Sequence, residues 1–123
     1  MIGYATLGVS DMERAKEFYM ALLSDKGARL LFDGGRIAFI GESMDKPMVA
    51  VCIPYDEQAQ HPGNGNMLGI TASSKEDVDV LYRKALELGA SCDGEPGQRI
   101  PDAFYGAYVR DTDGNKLAFY VFG

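Results

Sequence analysis

Histidine is almost missing from this chain: His61 is the only one in 123 residues. Zinc and non-haem iron sites draw on two or more imidazoles or thiolates. The two cysteines, Cys52 and Cys92, form no CxxC pair that could make up the difference. We therefore expect no metal and no cofactor. Basic charge is also scarce, since 12 Lys and Arg against 18 Asp and Glu leave a net charge of −6. That balance argues against a nucleic-acid partner, because phosphate binding needs clustered cations. No apolar run reaches ~18 residues, which excludes a membrane-spanning helix. The opening MIGYATLGV has no basic stretch ahead of its apolar residues, unlike a secretory signal. The expected location is the cytoplasm, where both thiols stay reduced.

What the chain does have is an internal repeat at a constant spacing of 63 residues. Tyr4 aligns with Met67, Leu7 with Ile70, Ser10 with Ser73 and Glu13 with Glu76. The same offset pairs Phe18 with Leu81, Tyr19 with Tyr82 and Leu23 with Leu86, without a gap from residue 4 to residue 26. Repeats decide architecture, and two copies fill this chain. Module 1 spans about residues 1–56, a polar linker takes 57–65, and module 2 spans about 66–123.

Within each copy the pattern reads strand, helix, then three strands. Residues 3–9 alternate at period two. Ser10-x-x-Glu13 and Ser73-x-x-Glu76 have the spacing of capping boxes. Behind them, Met12, Ala15, Phe18, Tyr19 and Leu22 form one apolar helical stripe, and Val78, Leu81, Tyr82, Ala85 and Leu88 form the other. Gly27 and Gly89 end the two helices. Strands are expected over 28–32, 36–41 and 48–54 in the first module. The second module is expected to have strands over 66–72, 90–93, 105–110 and 116–122, with a Pro- and Gly-containing loop at 94–103. Asp33-Gly34-Gly35 and Asp113-Gly114 carry hairpin chemistry.

The fold class is thus α+β: two βαβββ modules forming a curled eight-stranded mixed sheet, with helices on the outside. One helix covers only one face of a four-stranded sheet, so a trough is left on the other. Strand alternation sorts the side chains. Leu7, Val9, Leu68, Ile70, Leu117 and Phe119 belong under the helices. Tyr4, Thr6, Cys52, Met67, Thr71, Ala118, Tyr120 and Phe122 face the trough, and Tyr105 stands at its mouth. That set is apolar and aromatic with a few hydroxyls, which is the character of a small-molecule pocket. Such side chains also occur as plain packing. Cys52 has no neighbouring Lys or Arg in sequence to activate its thiol. Asp111, Asp113 and Asn115 sit where a turn needs them for backbone reasons.

The opening Tyr4-Ala5-Thr6-Leu7-Gly8-Val9-Ser10-Asp11, the helical Phe18-Tyr19, the linker Gly63-Asn64-Gly65-Asn66 and the closing Tyr108-Val109-Arg110-Asp111-Thr112-Asp113-Gly114-Asn115-Lys116-Leu117 together resemble the vicinal oxygen chelate superfamily. This is the glyoxalase, bleomycin-resistance and extradiol-dioxygenase group. The closing segment looks like the family's Asp-Pro-Asp-Gly-Asn hairpin, with Thr112 in place of proline. The resemblance implies metal-ligand positions at Tyr4 and Met67 in the first strands, at Ala118 in the last strand, and at Ala50 or Cys52 in the first module. Alanine has no donor atom, the Met67 thioether suits soft Cu(I), and Tyr4 supplies a phenol where an imidazole is usual. The expectation is therefore a metal-free protein that binds a small molecule, with no catalytic residue assigned. The alternative is a glyoxalase- or dioxygenase-type enzyme, a lyase or oxidoreductase, with a non-standard site. Family members of this size also imply a homodimer.

Overall fold

The computed structural model describes the whole chain, Met1–Gly123. The elements follow in the order β1 (Tyr4–Gly8), α1 (Met12–Leu22), β2 (Arg29–Asp33), β3 (Ile37–Gly41), β4 (Met48–Cys52), β5 (Leu68–Thr71), α2 (Lys75–Glu87), β6 (Ser91–Ile100), β7 (Phe104–Arg110) and β8 (Lys116–Phe122). The chain divides into two compact units, Met1–Pro62 and Gly63–Gly123. No helix is long and apolar enough to cross a membrane.

The 63-residue offset survives folding, and the helix caps show where it acts. Each helix starts one residue later than the Ser-x-x-Glu spacing suggests. Asp11 caps α1 by accepting from the Arg14 amide at 3.1 Å. Ser74, 63 residues on, caps α2 by accepting from the Asp77 amide at 3.0 Å. The Asp77 carboxylate reaches back past the cap to accept from the Ser73 amide at 2.8 Å, so the pair of bonds joins Asp77 to Ser73 and Ser74 and not the expected Ser73 to Glu76. The shift has a physical reason: a cap must be extended while its side chain meets an amide two or three residues ahead. Asp11 and Ser74 satisfy both conditions. Past the helices, Gly27 and Gly89 take the left-handed conformation at φ 78° and 106°, which β-carbons disfavour.

Hydrogen bonding runs in two four-stranded sheets, ordered β1-β4-β3-β2 and β5-β8-β7-β6. In each, the first and last strands of the module lie parallel at the centre or edge, β1 on β4 and β5 on β8, and the remaining pairs are antiparallel. In the first unit α1 buries Ala15, Phe18, Tyr19 and Leu22, and the sheet brings Ala38, Ile40 and Val51 to the same core. In the second unit α2 buries Val78, Leu81, Tyr82 and Ala85, joined by Ala107, Val109, Leu117 and Phe119. Polar ties accompany this packing. Lys16 reaches Asp33 across the first unit at 2.7 Å. In the second, the Tyr82 phenol is pushed up to about 12 by its hydrogen bond with Cys92 and by burial.

The loop expected at 94–103 is corrected as well. Residues 94–100 are strand, not loop: β6 runs ten residues through Gly94, Pro96 and Gly97. It lies at the sheet edge, where a missing proline amide costs no ladder bond on the solvent side. Its register slips between Cys92 and Gly94, between Gly94 and Gly97, and between Gln98 and Ile100, so the glycines are absorbed as bulges. Only 101–103 remain as the turn, with Asp102 at φ 56°.

The closing hairpin is structural. Asp111, 6% exposed, accepts from the Asp113 and Asn115 amides at 2.9 Å each. Asn115 Nδ2 donates to Asp111 Oδ2 at 3.1 Å. These residues hold the β7–β8 register that positions the open face of the second sheet.

Candidate functional site

Because each helix covers one side of its sheet, the other side of each unit presents alternate residues outward. In the first unit that face carries Tyr4, Thr6, Ala50, Phe39 and Cys52, as the pairings Thr6–Ala50 and Ala50–Phe39 require. Tyr4 is 52% exposed and meets Phe39 edge-on, with centroids 4.8 Å apart. Phe32 continues the row at 6.1 Å from Phe39. Cys52 pairs with Gly8 and Ile37, and the linker residue Gln60 lies so close over Gly8 that a β-carbon there would come within 3.3 Å of Gln60 Cβ.

The second sheet's open face is more densely aromatic. The Phe104 and Tyr120 rings stack nearly parallel at 3°, with centroids 5.5 Å apart. Phe122 stands edge-on to both, at 6.0 and 5.1 Å. Glycines clear the space for them. A β-carbon on Gly106 would fall 2.7 Å from Phe104 Cε1, and one on Gly69 would fall 3.3 Å from Tyr120 Cε1. Thr71 pairs with Tyr120, and Met67 lies just before β5, half exposed. Ala118 sits between Gly69 and Tyr108 in the ladder and is 1% exposed, so it is floor and not a contact point for solvent.

Further along this face Tyr108 is flanked by two cations. The Arg99 guanidinium carbon lies 5.3 Å from its ring centroid and Lys116 Nζ lies 5.1 Å away. Arg110 and Lys116 both reach Asp93 Oδ2, at 3.0 and 3.3 Å. The Lys116 ammonium, followed by Arg110, holds the Asp93 carboxyl below its ordinary value.

Tyr105 is not on this face. Its hydroxyl donates to Asp79 Oδ1 on α2 at 2.7 Å, and that bond, with burial, raises the phenol's pKa. β7 begins at Phe104, and alternation then sends Phe104 outward with Phe122 and Tyr105 toward the helix with Val121. Sequence reading missed Phe32, Phe39, Phe104 and Tyr108 as face residues. The Asp113-Gly114 hairpin carried the signal for the last two, because counting back from its turn pairs Phe104 with Phe122 and Tyr108 with Ala118.

The residues do not fit a divalent metal. At the positions that the resemblance implies for metal ligands stand Tyr4, Met67, Ala118 and Ala50, or Cys52 in place of Ala50. No three or more His, Cys, Asp or Glu side chains gather in a ligating group.

Two βαβββ units, each with one helix-covered face and one open aromatic face, define a paired-module class of protein. The chain belongs to the Glyoxalase/Bleomycin resistance protein/Dioxygenase superfamily, which it matches over residues 1–119. It is similar to a glyoxalase/bleomycin resistance protein from Albidiferax ferrireducens T118, at 32% identity with a TM-score of 0.85, covering 97% of this chain and 96% of that one. A glyoxalase-related enzyme from Fulvimarina pelagi shares the fold at 19% identity and a TM-score of 0.78, covering 98% and 86%. A lactoylglutathione lyase from Agrobacterium tumefaciens does so at 20% identity and a TM-score of 0.70, covering 98% and 92%. No curated protein matches the chain.

Proposed function

We propose that this chain is a binding protein for a small, partly aromatic molecule, and that it works without a metal ion. One observation carries the reading: the open faces keep the fold's aromatic and apolar character while the ligand positions hold Tyr4, Met67 and Ala118. A pocket of this kind recognises a ligand mostly through apolar area, with a few polar handles for orientation. On the first unit's open face Tyr4 and Thr6 supply hydroxyls and Cys52 a soft, polarisable contact. On the second unit's, Thr71 supplies a hydroxyl, Tyr120, Phe122 and Phe104 supply aromatic surface, and Met67 adds the soft contact. The function belongs to the cytoplasm on this reading, and the protein acts as a homodimer. Phe32, exposed on the first unit's open face and outside the proposed ligand contacts, gives a second copy apolar surface to cover.

The test is thermal melting of metal-stripped protein against a panel of aromatic metabolites and antibiotics. A true ligand at about a hundred times its Kd adds ~2.7 kcal/mol of stability. We expect such a shift, unchanged by EDTA. Stabilisation that appears only after a divalent metal is restored would overturn the reading, as would turnover that tracks bound metal.

A further inference from the structure

The cations around Tyr108 are out of keeping with an acidic chain, and their placement is built rather than incidental. Arg99 doubles back over its own strand: a β-carbon on Gly97 would sit 2.8 Å from Arg99 Nη1, and one on Gly94 would sit 3.2 Å from Nη2. Only the two glycines leave that path open. The turn is tied by Arg99 Nη2 donating to the Glu95 carbonyl, a neutral acceptor. Gly94 also faces Tyr108 across the ladder, where a β-carbon would strike the ring at 2.8 Å. The bulges of β6 thus lay the guanidinium against the Tyr108 ring. From β8, Lys116 comes to the same ring. Arg110 lies across the ladder from Lys116, and one carboxylate, Asp93, hydrogen-bonds both. Two of the three cations therefore share one carboxylate, and the third, Arg99, is held by a neutral carbonyl.

This cluster continues into the aromatic patch. Tyr108 pairs with Ala118 and Gly106 pairs with Tyr120, so Tyr108 and Tyr120 are diagonal neighbours on adjacent strands. Side chains so placed lie within reach of one another. A flat ring set against the exposed Phe122 and the Phe104–Tyr120 stack would carry a substituent straight to Arg99 and Lys116. We infer that the open face of the second sheet is a subsite for a planar aromatic molecule bearing an anionic group, its ring on Phe104, Tyr120 and Phe122 and its charge on Arg99, Lys116 and Arg110. This rests on the binding function proposed above and adds the chemical class of its ligand. Guanidinium and ammonium groups bind carboxylate and phosphate by charge-assisted hydrogen bonds. The aromatic patch supplies the contact area.

The probe pair is 2-naphthoate and its neutral isostere 2-naphthamide, titrated into the full chain at low salt and followed by amide chemical shifts. The expected result is shifts centred on β6, β7 and β8, with naphthoate bound about tenfold or more tighter than the amide. Arg99→Gln/Lys116→Gln should bring the two affinities together, and added salt should weaken only the carboxylate. Equal affinities in the unaltered protein would overturn the anionic assignment while leaving the binding function standing. Naphthoate shifts scattered elsewhere, or residues 104–122 already covered by a second copy at all concentrations, would also overturn it. Failure of every compound in the melting panel, this pair included, would instead remove the binding function itself.

Discussion

Phe119 and Phe122 are the same residue on the same strand, three positions apart, and therefore on opposite faces of the second sheet. Phe119 is fully buried between Ile70 and Ala107 in the ladder, on the side that α2 covers. Phe122 is 78% exposed and keeps only edge contacts with Phe104 and Tyr120. Phe119→Ala removes a full aromatic side chain from a packed interior and leaves a cavity, at a cost of ~3–5 kcal/mol. Phe122→Ala loses two edge-on contacts worth ~0.5 kcal/mol each at the weak end of the range, and little burial, for a total of ~1 kcal/mol or less. In urea, with a slope of ~1.5 kcal/mol/M, the midpoint should fall by ~2–3 M for the first and by less than ~0.7 M for the second. The chain has no tryptophan, so far-UV circular dichroism and tyrosine emission are the observables, and both should report one transition. A Phe122→Ala loss equal to that of Phe119→Ala would refute the open-face argument, since it would mean the face is packed in the folded protein. A loss that appears only at high protein concentration would show which copy packs it.

Asp11→Ala and Ser74→Ala should each cost ~1 kcal/mol in urea denaturation, because each leaves a helix amide uncapped; no loss at either would displace the cap assignment. Tyr105→Phe should lower stability by ~1–2 kcal/mol through the lost bond to the Asp79 carboxylate. It should leave naphthoate affinity unchanged, and weakened binding would return Tyr105 to the site. Asp93 has a folded-state pKa below its ordinary 3.8. The stability it contributes is therefore present above that value and is lost as pH falls through the lower folded one. Acid melts should show a shallower decline below about pH 4 for Asp93→Asn than for the unaltered chain; parallel curves would mean the ion pairs contribute nothing.

Much of the architecture was legible because it is local. The stripes at Phe18/Tyr19 and Leu81/Tyr82, the turns at Asp33-Gly34-Gly35 and Asp113-Gly114, and the alternation along β8 all express periodicities of a few residues. The face assignment of Tyr120 and Phe122 came from the same alternation. Tyr105, expected at the trough mouth from its place at a strand start, instead turns toward α2, because its pairing with Val121 puts it on the helix side of the sheet. The strand over 94–100 was illegible for a different reason. Pro96 and three breaks in register read as a loop by composition, and only the neighbouring strand, by accepting bulges along one edge, makes it a strand.

The 63-residue repeat, the helix-covered faces and the absence of a metal-ligand set were determined by the sequence alone, since each depends on which residue types recur at short or fixed spacing. Only the tertiary structure decided that Arg99, distant from Tyr108 and Lys116 along the chain, folds over Gly97 and Gly94 to join them. That juxtaposition depends on strand register and on the room two glycines leave, and neither is written in the spacing of the residues it brings together.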